Sequence, residues 1–413
     1  MPRPWVRLLA VLGITFVLVL IARSYNVAAR IQLSWPLAVH PDGADDGAQI
    51  PLHSKPPTKG AFKAGQAANT APGAFTRKIV AVGDLHGDLP NAHKVLRMAG
   101  VVTEDWHWSG DVDLFVQTGD IIDRGDDTIK LYDWMEALRA EALTHGGQVV
   151  SHLGNHEWMN VIGDWRYVPQ TEIKTFNGPS ARQQELMTGT IGRRWAQNYS
   201  TTSRVPLHPS LGEVNTDYDP SNSSPLSHAA ISFVHGGLAP SYPDLTPFPS
   251  KINSIAHSLL HKLQHRNPPP APHPPNPYPG LTHDATTAEH RLYGTDGPLW
   301  YRGWAMEPEQ KVCAVVDSVL QKTGTRRMIM GHTPDFERIV SRCGGKIVII
   351  DTGISHAYGG VLAALSIEYS LTPLAKASAS DAKRWTEREV VTAVYLDHQD
   401  VLAVSEREIE GSF

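Results

Sequence analysis

Short apolar runs rich in β-branched residues recur along the chain from Arg77 onward, and glycine and polar residues follow each run at once. A run that is apolar at successive positions is typical of a strand buried on both faces of a sheet. Six such runs predict strands: 78–82, 114–117, 149–153, 231–234, 328–330 and 347–350. The polar residues after them are then expected to cluster beyond the strand ends.

Segments with a helical spacing of apolar residues lie between these runs, at 89–99, 128–143 and 310–322. Strands that alternate with helices predict an α/β domain. Sites in this fold class form beyond the carboxyl ends of the strands, which is where the polar clusters fall. We therefore predict one catalytic domain over residues 77–400, followed by a C-terminal tail at 401–413.

Two inserts interrupt the alternation of strands and helices. The first, 158–229, is partly helical at 181–198 and then polar. The second, 265–297, contains the proline-dense segment 267–280, which cannot form a helix or a central strand. We predict an exposed loop there, and a simple surface insert is favoured over a ligand for proline-recognition domains.

The first 30 residues carry an uncharged apolar run at 8–22, with arginines on both sides. Its length suits the core of a signal peptide better than a full membrane span. We interpret residues 1–30 as a signal anchor or a cleaved signal peptide that engages the membrane or the translocon. Residues 31–76 mix proline, glycine, alanine and lysine without periodicity and are predicted to form a linker or stalk.

Composition narrows the classes of function. Apolar residues make up 41% of the 413 residues, enough for a core, and the net charge of -5 comes with no basic block. A protein that binds the nucleic-acid backbone would carry a Lys/Arg patch, so we predict no nucleic-acid partner. The two cysteines, Cys313 and Cys343, exclude a zinc-thiolate site and a disulfide-dense scaffold. They either pair in an oxidising compartment or remain as small apolar residues.

Two N-x-[ST] triplets begin at Asn198 and Asn222, in polar stretches where glycans could sit. Each triplet alone is a weak signal. Together with the N-terminal apolar run, they predict a glycoprotein that faces the secretory lumen or the cell exterior and is held by a single membrane anchor.

Five short segments that combine glycine with metal-binding side chains follow the predicted strands. They are G-D-L-H-G-D at 83–88, G-D-I-I-D-R-G at 119–125, G-N-H-E at 154–157, H-G-G at 235–237 and G-H-T at 331–333. Asp84 and His86 are two residues apart and can both face one metal, while Asp120 is placed to bridge two ions. Asn155 offers an amide oxygen, and the remaining histidines complete a mixed oxygen and nitrogen set.

These residue types suit hydrolysis at phosphorus. Two cations about 3.5–4 Å apart can activate a water and hold the oxygens of an in-line displacement. Carboxylate, amide and imidazole ligands together favour Mn, Fe or Zn over Mg or Ca. Arginine can capture a phosphoryl group, and a histidine that is not a metal ligand can protonate the leaving oxygen. Each segment alone is weak, but all five, each after a strand-like run, rarely arise by chance.

With these segments the chain resembles the phosphoprotein phosphatase family of the calcineurin-like metallophosphoesterases, over roughly residues 77–396. It looks most like the bacterial-type branch, the Shewanella-like protein phosphatases. The resemblance implies a four-layer α/β fold, in which helices flank two mixed β-sheets. It also implies six ligands for two ions that share one carboxylate: Asp84, His86 and Asp120 for the first ion, and Asp120, Asn155, His235 and His332 for the second.

The same resemblance implies roles in proton transfer and phosphate binding. His156 would be the general acid, oriented by Asp123, and Arg124 would bind phosphate oxygens. The family's second phosphate-binding arginine lies in a Leu-Trp-x-Arg segment, which residues 298–304 match, so Arg302 is the candidate. The other interpretation of this segment is a buried aromatic cluster.

One region departs from the eukaryotic serine/threonine members, which carry an S-A-P-N-Y segment. Here the corresponding residues are Asp351, Thr352 and Gly353. The departure leaves the choice open between phosphoserine or phosphothreonine on one side and phosphotyrosine on the other. His356 and Tyr358 lie close by, and lining of the pocket and simple packing are equally compatible with them.

We expect phosphorylated proteins or peptides as substrates. A second enzymatic function stays open, the hydrolysis of a phosphoric anhydride such as a dinucleoside polyphosphate. It would require aromatic residues that stack on the bases, for which Trp158, Trp165 and the aromatics of 300–304 are candidates. A membrane-tethered binding module without catalysis is a third function, which loss of a ligand or of the acid would indicate; none is lost here.

Overall fold

The computed structural model describes residues 73–374 and 383–413 of the chain. The predicted signal segment 1–30 and most of the predicted linker 31–76 lie outside these residues. Within them, no helix is both long enough and apolar enough to cross a membrane. The described chain builds two mixed β-sheets and a set of helices that pack against them.

The larger sheet has seven strands in the order β12–β11–β10–β1–β2–β3–β4. Strands β1 to β4 are parallel to one another, whereas β10, β11 and β12 continue the sheet in antiparallel fashion. The bounds are Phe75–Val82 (β1), Leu114–Gln117 (β2), Gln148–His152 (β3), Tyr199–Ser200 (β4), Ala363–Pro373 (β10), Arg384–Tyr395 (β11) and Gln399–Glu410 (β12).

The smaller sheet has five strands in the order β5–β6–β7–β9–β8. Strands β6, β7 and β9 are parallel, and β5 and β8 are antiparallel strands at the two edges. The bounds are Thr202–Pro206 (β5), Ala230–Val234 (β6), Arg327–Met330 (β7), Val340–Arg342 (β8) and Ile347–Ile349 (β9). All six predicted strands are therefore present, with bounds that differ by three residues at most.

Helices connect the strands of both sheets, with one 3₁₀ turn at Pro209–Leu211. Their bounds are Leu89–Met98 (α1), Thr128–Thr144 (α2), Asn155–Ile162 (α3), Gln170–Thr175 (α4), Pro179–Met187 (α5), Thr190–Asn198 (α6), Ser250–Gln264 (α7), Thr287–Tyr293 (α8), Gly303–Met306 (α9), Glu309–Cys313 (α10) and Val316–Thr323 (α11).

Side chains of the central strands alternate between two apolar cores. Ile79 of β1 belongs to a core shared with Phe233 of the smaller sheet, whereas Val80 belongs to a core shared with helix residues such as Leu131. Successive side chains of a strand point to opposite faces of its sheet. One core therefore lies between the sheets and the other beneath the helices, which is the four-layer arrangement that was expected.

The long strands β10, β11 and β12 correct the predicted C-terminal tail. Residues 401–413 include most of β12, in which Ile409 is buried and Arg407 donates to Glu387 of β11 at 2.6 Å. Buried and exposed positions alternate along β11, so no unbroken apolar run marks this part of the sheet. Strands with one polar face lack the signal that identified the buried strands.

Two predicted helices are each divided. Residues 181–198 form α5 and α6, because the backbone turns extended at Gly189, and residues 310–322 form α10 and α11. Cys313, at the end of α10, is joined to Cys343 by a disulfide with a Cα–Cα distance of 5.3 Å. Of the two alternatives for the cysteines, the structure has them paired.

The proline-dense segment 267–280 forms neither a helix nor a strand and is largely exposed, as predicted. It packs on the loop after α3, where the backbone N–H of Trp165 donates to the carbonyl of His273 at 2.6 Å. The insert therefore supports a loop that leads to the site described next.

Candidate active site

Five strands deliver the five polar segments to one place. Strands β1, β2 and β3 end at Val82, Gln117 and His152, and β6 and β7 end at Val234 and Met330. Each segment begins within two residues of its strand end. The carboxyl ends of these parallel strands therefore bring together side chains from both sheets.

Asp120 lies at the centre of this cluster. Its Oδ2 is 3.8 Å from His86 Nε2 and 3.2 Å from His235 Nε2. Asp120 shares one group of potential ligand atoms with His86 and His156, and a second group with His235 and His332. Within each group the atoms lie within 4.8 Å of one another. Asp120 belongs to both groups, which is the position predicted for a ligand that two ions share.

In the second group, atoms that accept hydrogen bonds face one another, with no donor from the described residues between them. His235 Nδ1 lies 2.9 Å from the carbonyl of Thr118, to which it can only donate, and in that tautomer Nε2 is left as an acceptor. This bare nitrogen lies 2.8 Å from the amide oxygen of Asn155. Within the described chain, Nε2 of His332 is buried and has no hydrogen-bond partner. A cation between these atoms would satisfy all three, so the residues fit a metal ion.

The first group fits a metal ion for the same reason. His86 Nδ1 donates to the carbonyl of Ile122 at 2.9 Å, and its Nε2 lies 3.9 Å from Asp84 Oδ2. Burial lowers the pKa of His86 to about 3, so the ring is neutral. Burial also raises the pKa of Asp84 well above its usual value, and the nearby charges of Asp351 and Asp120 add to the effect. A cation would relieve this crowding of carboxylates.

His156 forms a close pair with Asp123. It lies in the first turn of α3, and its Nδ1 donates to Asp123 Oδ2 at 2.7 Å. Although burial opposes it, the charge of Asp120 and the bond to Asp123 raise the pKa of His156. Its other nitrogen, Nε2, is 3.9 Å from Asp120 Oδ2 and therefore faces the centre of the site.

The two predicted phosphate-binding arginines reach the same centre by different routes. The guanidinium of Arg124 lies between two aromatic rings, 4.3 Å from the centroid of Tyr167 and 4.7 Å from that of Tyr358. Arg302 Nη1 donates to the carbonyl of His332 at 2.7 Å and to Thr333 Oγ1 at 3.0 Å. Tyr358 thus lines the site. The sequence had left lining of the pocket and simple packing equally open for this residue.

Comparison with known proteins agrees with this geometry. The sequence of residues 77–336 matches the calcineurin-like phosphoesterase family. The chain belongs to this family. Because the family consists of metal-dependent phosphoesterases, the chain is a metal-dependent hydrolase, and the two His/Asp groups described above could hold the metal.

Three proteins are similar in sequence to this phosphoesterase, and two of them show its branch. A protein of Schizosaccharomyces pombe with no characterised function is 36% identical over 301 residues, which cover 71% of this chain and 78% of that protein. Shewanella-like protein phosphatase 2 of Arabidopsis thaliana is 27% identical, covering 67% and 71% of the two chains. Shewanella-like protein phosphatase 1 of Plasmodium berghei is 28% identical, covering 67% of each. The predicted Shewanella-like branch is confirmed.

Among solved structures, the phosphoesterase shares its fold with a cold-active protein-tyrosine phosphatase of a psychrophilic Shewanella species. The TM-score is 0.55 at 21% sequence identity, over 79% of this chain and 80% of that chain. This likeness supports the expected arrangement of two mixed sheets with flanking helices.

Glu157 ties the strand-end loops of the phosphoesterase together, a role that the sequence did not reveal. Its Oε1 accepts from the backbone N–H of Ile121 and from the hydroxyl of Tyr132, at 2.8 and 2.9 Å. Its Oε2 accepts from the backbone N–H groups of Asp120 and Gly154, at 2.9 and 2.7 Å. One buried carboxylate therefore joins the loop of Asp120 to the start of α3. The one sign of this role in the sequence is that Glu157 is the last residue of the G-N-H-E segment.

Several site residues of the phosphoesterase have left-handed backbone conformations, which are uncommon outside glycine. They are His86 (φ 43°), Asp120 (56°), Asp123 (71°), Arg124 (67°) and His332 (69°). Such conformations cost about 1–3 kcal/mol each and persist only where the surrounding structure enforces them. Gly119, at φ 103°, allows the close approach, since a Cβ there would lie 2.5 Å from the nitrogen of Gly154.

Other aromatic and polar candidates lie outside the centre. Trp158 and Trp165 are buried, so neither is placed to stack on a base. Trp304 is also buried and donates to the carbonyl of Leu238 at 2.9 Å, in agreement with a buried aromatic cluster. His356 bonds to Asp88 at 2.8 Å.

Proposed function

We propose that this phosphoesterase hydrolyses phosphate monoesters of phosphorylated proteins, with two metal ions held by the six predicted ligands. The observation that carries the proposal is the position of Asp120. It belongs to both groups of ligand atoms and lies 3.9 Å from Nε2 of His156. A phosphoryl group at this point would meet both ions and the proton donor.

Bound metal ions supply an activated water and positive charge for the phosphoryl oxygens. The chain supplies the remaining functions. Arg124 and Arg302 bind phosphoryl oxygens, because a guanidinium offers paired donors to such a group. His156 gives a proton from Nε2 to the leaving oxygen, while its Nδ1–H stays bonded to Asp123. Since the acid, its partner and the ligands are buried, these charges act where water screens them little.

The rim of the site favours phosphotyrosine over phosphoserine. Tyr167 is 38% exposed and Phe336 47% exposed, and the ring of Phe336 lies 6.0 Å from that of Tyr358. These rings offer apolar contact to an aryl group that follows the phosphate into the site. In support, the Arabidopsis and Plasmodium relatives are named protein phosphatases, and the Shewanella structure is described as a protein-tyrosine phosphatase.

A matched set of peptides tests the substrate. Three peptides of one sequence would carry phosphotyrosine, phosphoserine or phosphothreonine, and phosphate release by the purified full-length protein would be measured with added Mn²⁺. We expect kcat/KM for phosphotyrosine to exceed the other two by at least about tenfold, because an aromatic rim contacts only the aryl group. Equal values would contradict the choice of phosphotyrosine, and no release from any peptide would contradict the protein phosphatase.

The exposed rings of the rim also favour one other function, the hydrolysis of a dinucleoside polyphosphate. Tyr167 and Phe336 are exposed enough to stack on a base, unlike Trp158 and Trp165. A dinucleoside tetraphosphate therefore belongs in the same assay. A kcat/KM for this anhydride above that for the phosphotyrosine peptide would replace the first proposal by the second.

We also propose that the domain faces an oxidising compartment, the secretory lumen or the cell exterior. The Cys313–Cys343 disulfide supports this, because such bonds persist mainly in oxidising surroundings. Asn198 is exposed and Asn222 is partly exposed, so glycans could be attached to both. The N-terminal run that would direct the chain there lies outside the described residues.

Treatment of the native protein with a glycosidase should increase its electrophoretic mobility. The double variant Asn198→Gln/Asn222→Gln, expressed in the same host, should migrate like the treated protein and show no further change. An untreated native protein that already migrates with the double variant would contradict the lumenal placement.

A further inference from the structure

A buried arginine from the first insert contacts the proposed acid pair. Arg182 lies on α5 with no exposed surface, 59 residues along the chain from Asp123. Its Nη1 donates to Asn160 Oδ1 at 2.6 Å. Its Nη2 donates to Asp123 Oδ1 at 3.3 Å and to Glu172 Oε1 at 3.0 Å. One guanidinium thus joins three helices of the insert region to the partner of His156.

The two oxygens of Asp123 have separate partners. Oδ2 accepts from His156 Nδ1, while Oδ1 accepts from Arg182 and, at 2.8 Å, from Asn160 Nδ2. Asn160 Nδ2 also donates to the carbonyl of His156 at 2.8 Å. The planar guanidinium has donors in fixed directions, so bonds to both Asn160 and Asp123 fix the plane of the carboxylate. That plane in turn fixes the direction of the His156 ring.

Aromatic rings of the insert pack against Arg182. Its guanidinium lies 4.7 Å from the ring of Trp165 and 5.4 Å from that of Phe176. Glu172, which completes the charge pairing, accepts from Thr128 of α2 at 2.8 Å. A buried charge requires such pairing, and a lysine could not make the same set of bonds.

We infer that Arg182 is a positioning residue for proton delivery, which keeps His156 aimed at the leaving oxygen through Asp123. The inference rests on the proposed function, since it assumes that His156 is the acid. The competing explanation is that Arg182 only holds α3, α4 and α5 together. If Arg182 positions the acid, the effect of its loss should depend on the leaving group of the substrate. If it only holds the helices together, all substrates should be affected alike.

The leaving group separates the two explanations. A phosphate ester with a strongly basic leaving oxyanion needs a proton on that oxygen as the P–O bond breaks. The weakly basic p-nitrophenolate leaves readily without one. In Arg182→Lys we expect kcat for phenyl phosphate to fall about 10- to 100-fold, by analogy with the loss of a residue that orients a metal ligand. We expect kcat for p-nitrophenyl phosphate to fall much less, and bound metal to stay at the level of the unaltered protein.

Glu172→Gln is the matched control. It breaks the ion pair on the other side of Arg182 and leaves the bonds to Asp123 and Asn160 in place, so kcat for phenyl phosphate should change little. If Arg182→Lys does not fold, as judged by thermal unfolding, Asn160→Ser takes its place, because it removes the neighbouring bond to Asp123. His156→Asn defines the pattern of leaving-group dependence that loss of the acid itself produces.

Equal losses on both esters in Arg182→Lys or in Asn160→Ser would overturn the inference and leave a structural role. So would a loss in Glu172→Gln as large and as selective as in Arg182→Lys. If the unaltered protein releases no phosphate from either ester, the proposed function itself fails, which is a distinguishable result.

Discussion

Asp120→Asn should remove most of the bound metal and lower kcat/KM by at least about 1,000-fold, the effect of losing several kcal/mol of charge stabilisation. Asp120 is the one residue that belongs to both groups of ligand atoms, and its Oδ2 lies between His86 and His235. Asparagine keeps the shape and removes the charge on which both ions would depend. Metal content by mass spectrometry and turnover of an aryl phosphate measure the two effects.

Asp123→Asn is the matched control for this experiment. Asp123 is a buried carboxylate in the same loop, but it bonds to His156 and Asn160 and lies in neither group of ligand atoms. We therefore expect Asp123→Asn to retain its metal while it loses activity. Unchanged metal stoichiometry in Asp120→Asn would show that this residue is not the shared ligand.

His156→Asn should retain full metal content and lose about 10²- to 10⁴-fold in kcat, which is the contribution of a positioned acid. The ring provides the proton to the leaving oxygen, whereas the backbone N–H of residue 156 donates to Asp120 Oδ1 at 2.9 Å and is kept in the variant. The loss should be greatest for esters with basic leaving groups. Metal analysis beside single-turnover rates on phenyl phosphate provides the measurement.

Wild-type turnover in His156→Asn would exclude His156 as the acid. A variant that loses metal as well as activity would instead make His156 a ligand, which its distance of 3.9 Å from Asp120 Oδ2 allows. The two outcomes distinguish proton delivery from metal binding at one position.

The buried part of the fold was predictable because its strands are apolar on both faces. Every strand that carries a polar segment was predicted within three residues, namely β1, β2, β3, β6 and β7. The short edge strands β4 and β5, which carry no such segment, were not predicted. The pair β11 and β12 was not predicted, since alternating polar residues such as Glu387 and Glu389 hide a strand from a search for apolar runs. These glutamates are buried against Arg326, a contact that no local pattern indicates.

The clustering of the six proposed ligands was predictable because each lies directly beside glycine after a strand. The residues that orient them were not. Arg182 and Asn160 come from the first insert, and they meet Asp123 only through the packing of α3 and α5. Tyr167 reaches Arg124 from a loop on which the proline-dense segment rests. Such contacts depend on tertiary structure and leave no fixed spacing along the chain.

The left-handed backbone at these site residues sets stability against activity in this phosphoesterase. Glycine at Asp120, Asp123 or Arg124 would relax the backbone, yet it would remove the proposed shared ligand, orienting carboxylate or phosphate donor. We therefore expect glycine variants at these positions to lose activity even where the relaxed backbone raises their stability. Selection for thermostability alone would drive these positions toward glycine, whereas selection for turnover must add stability elsewhere, for example in the hairpin of β11 and β12.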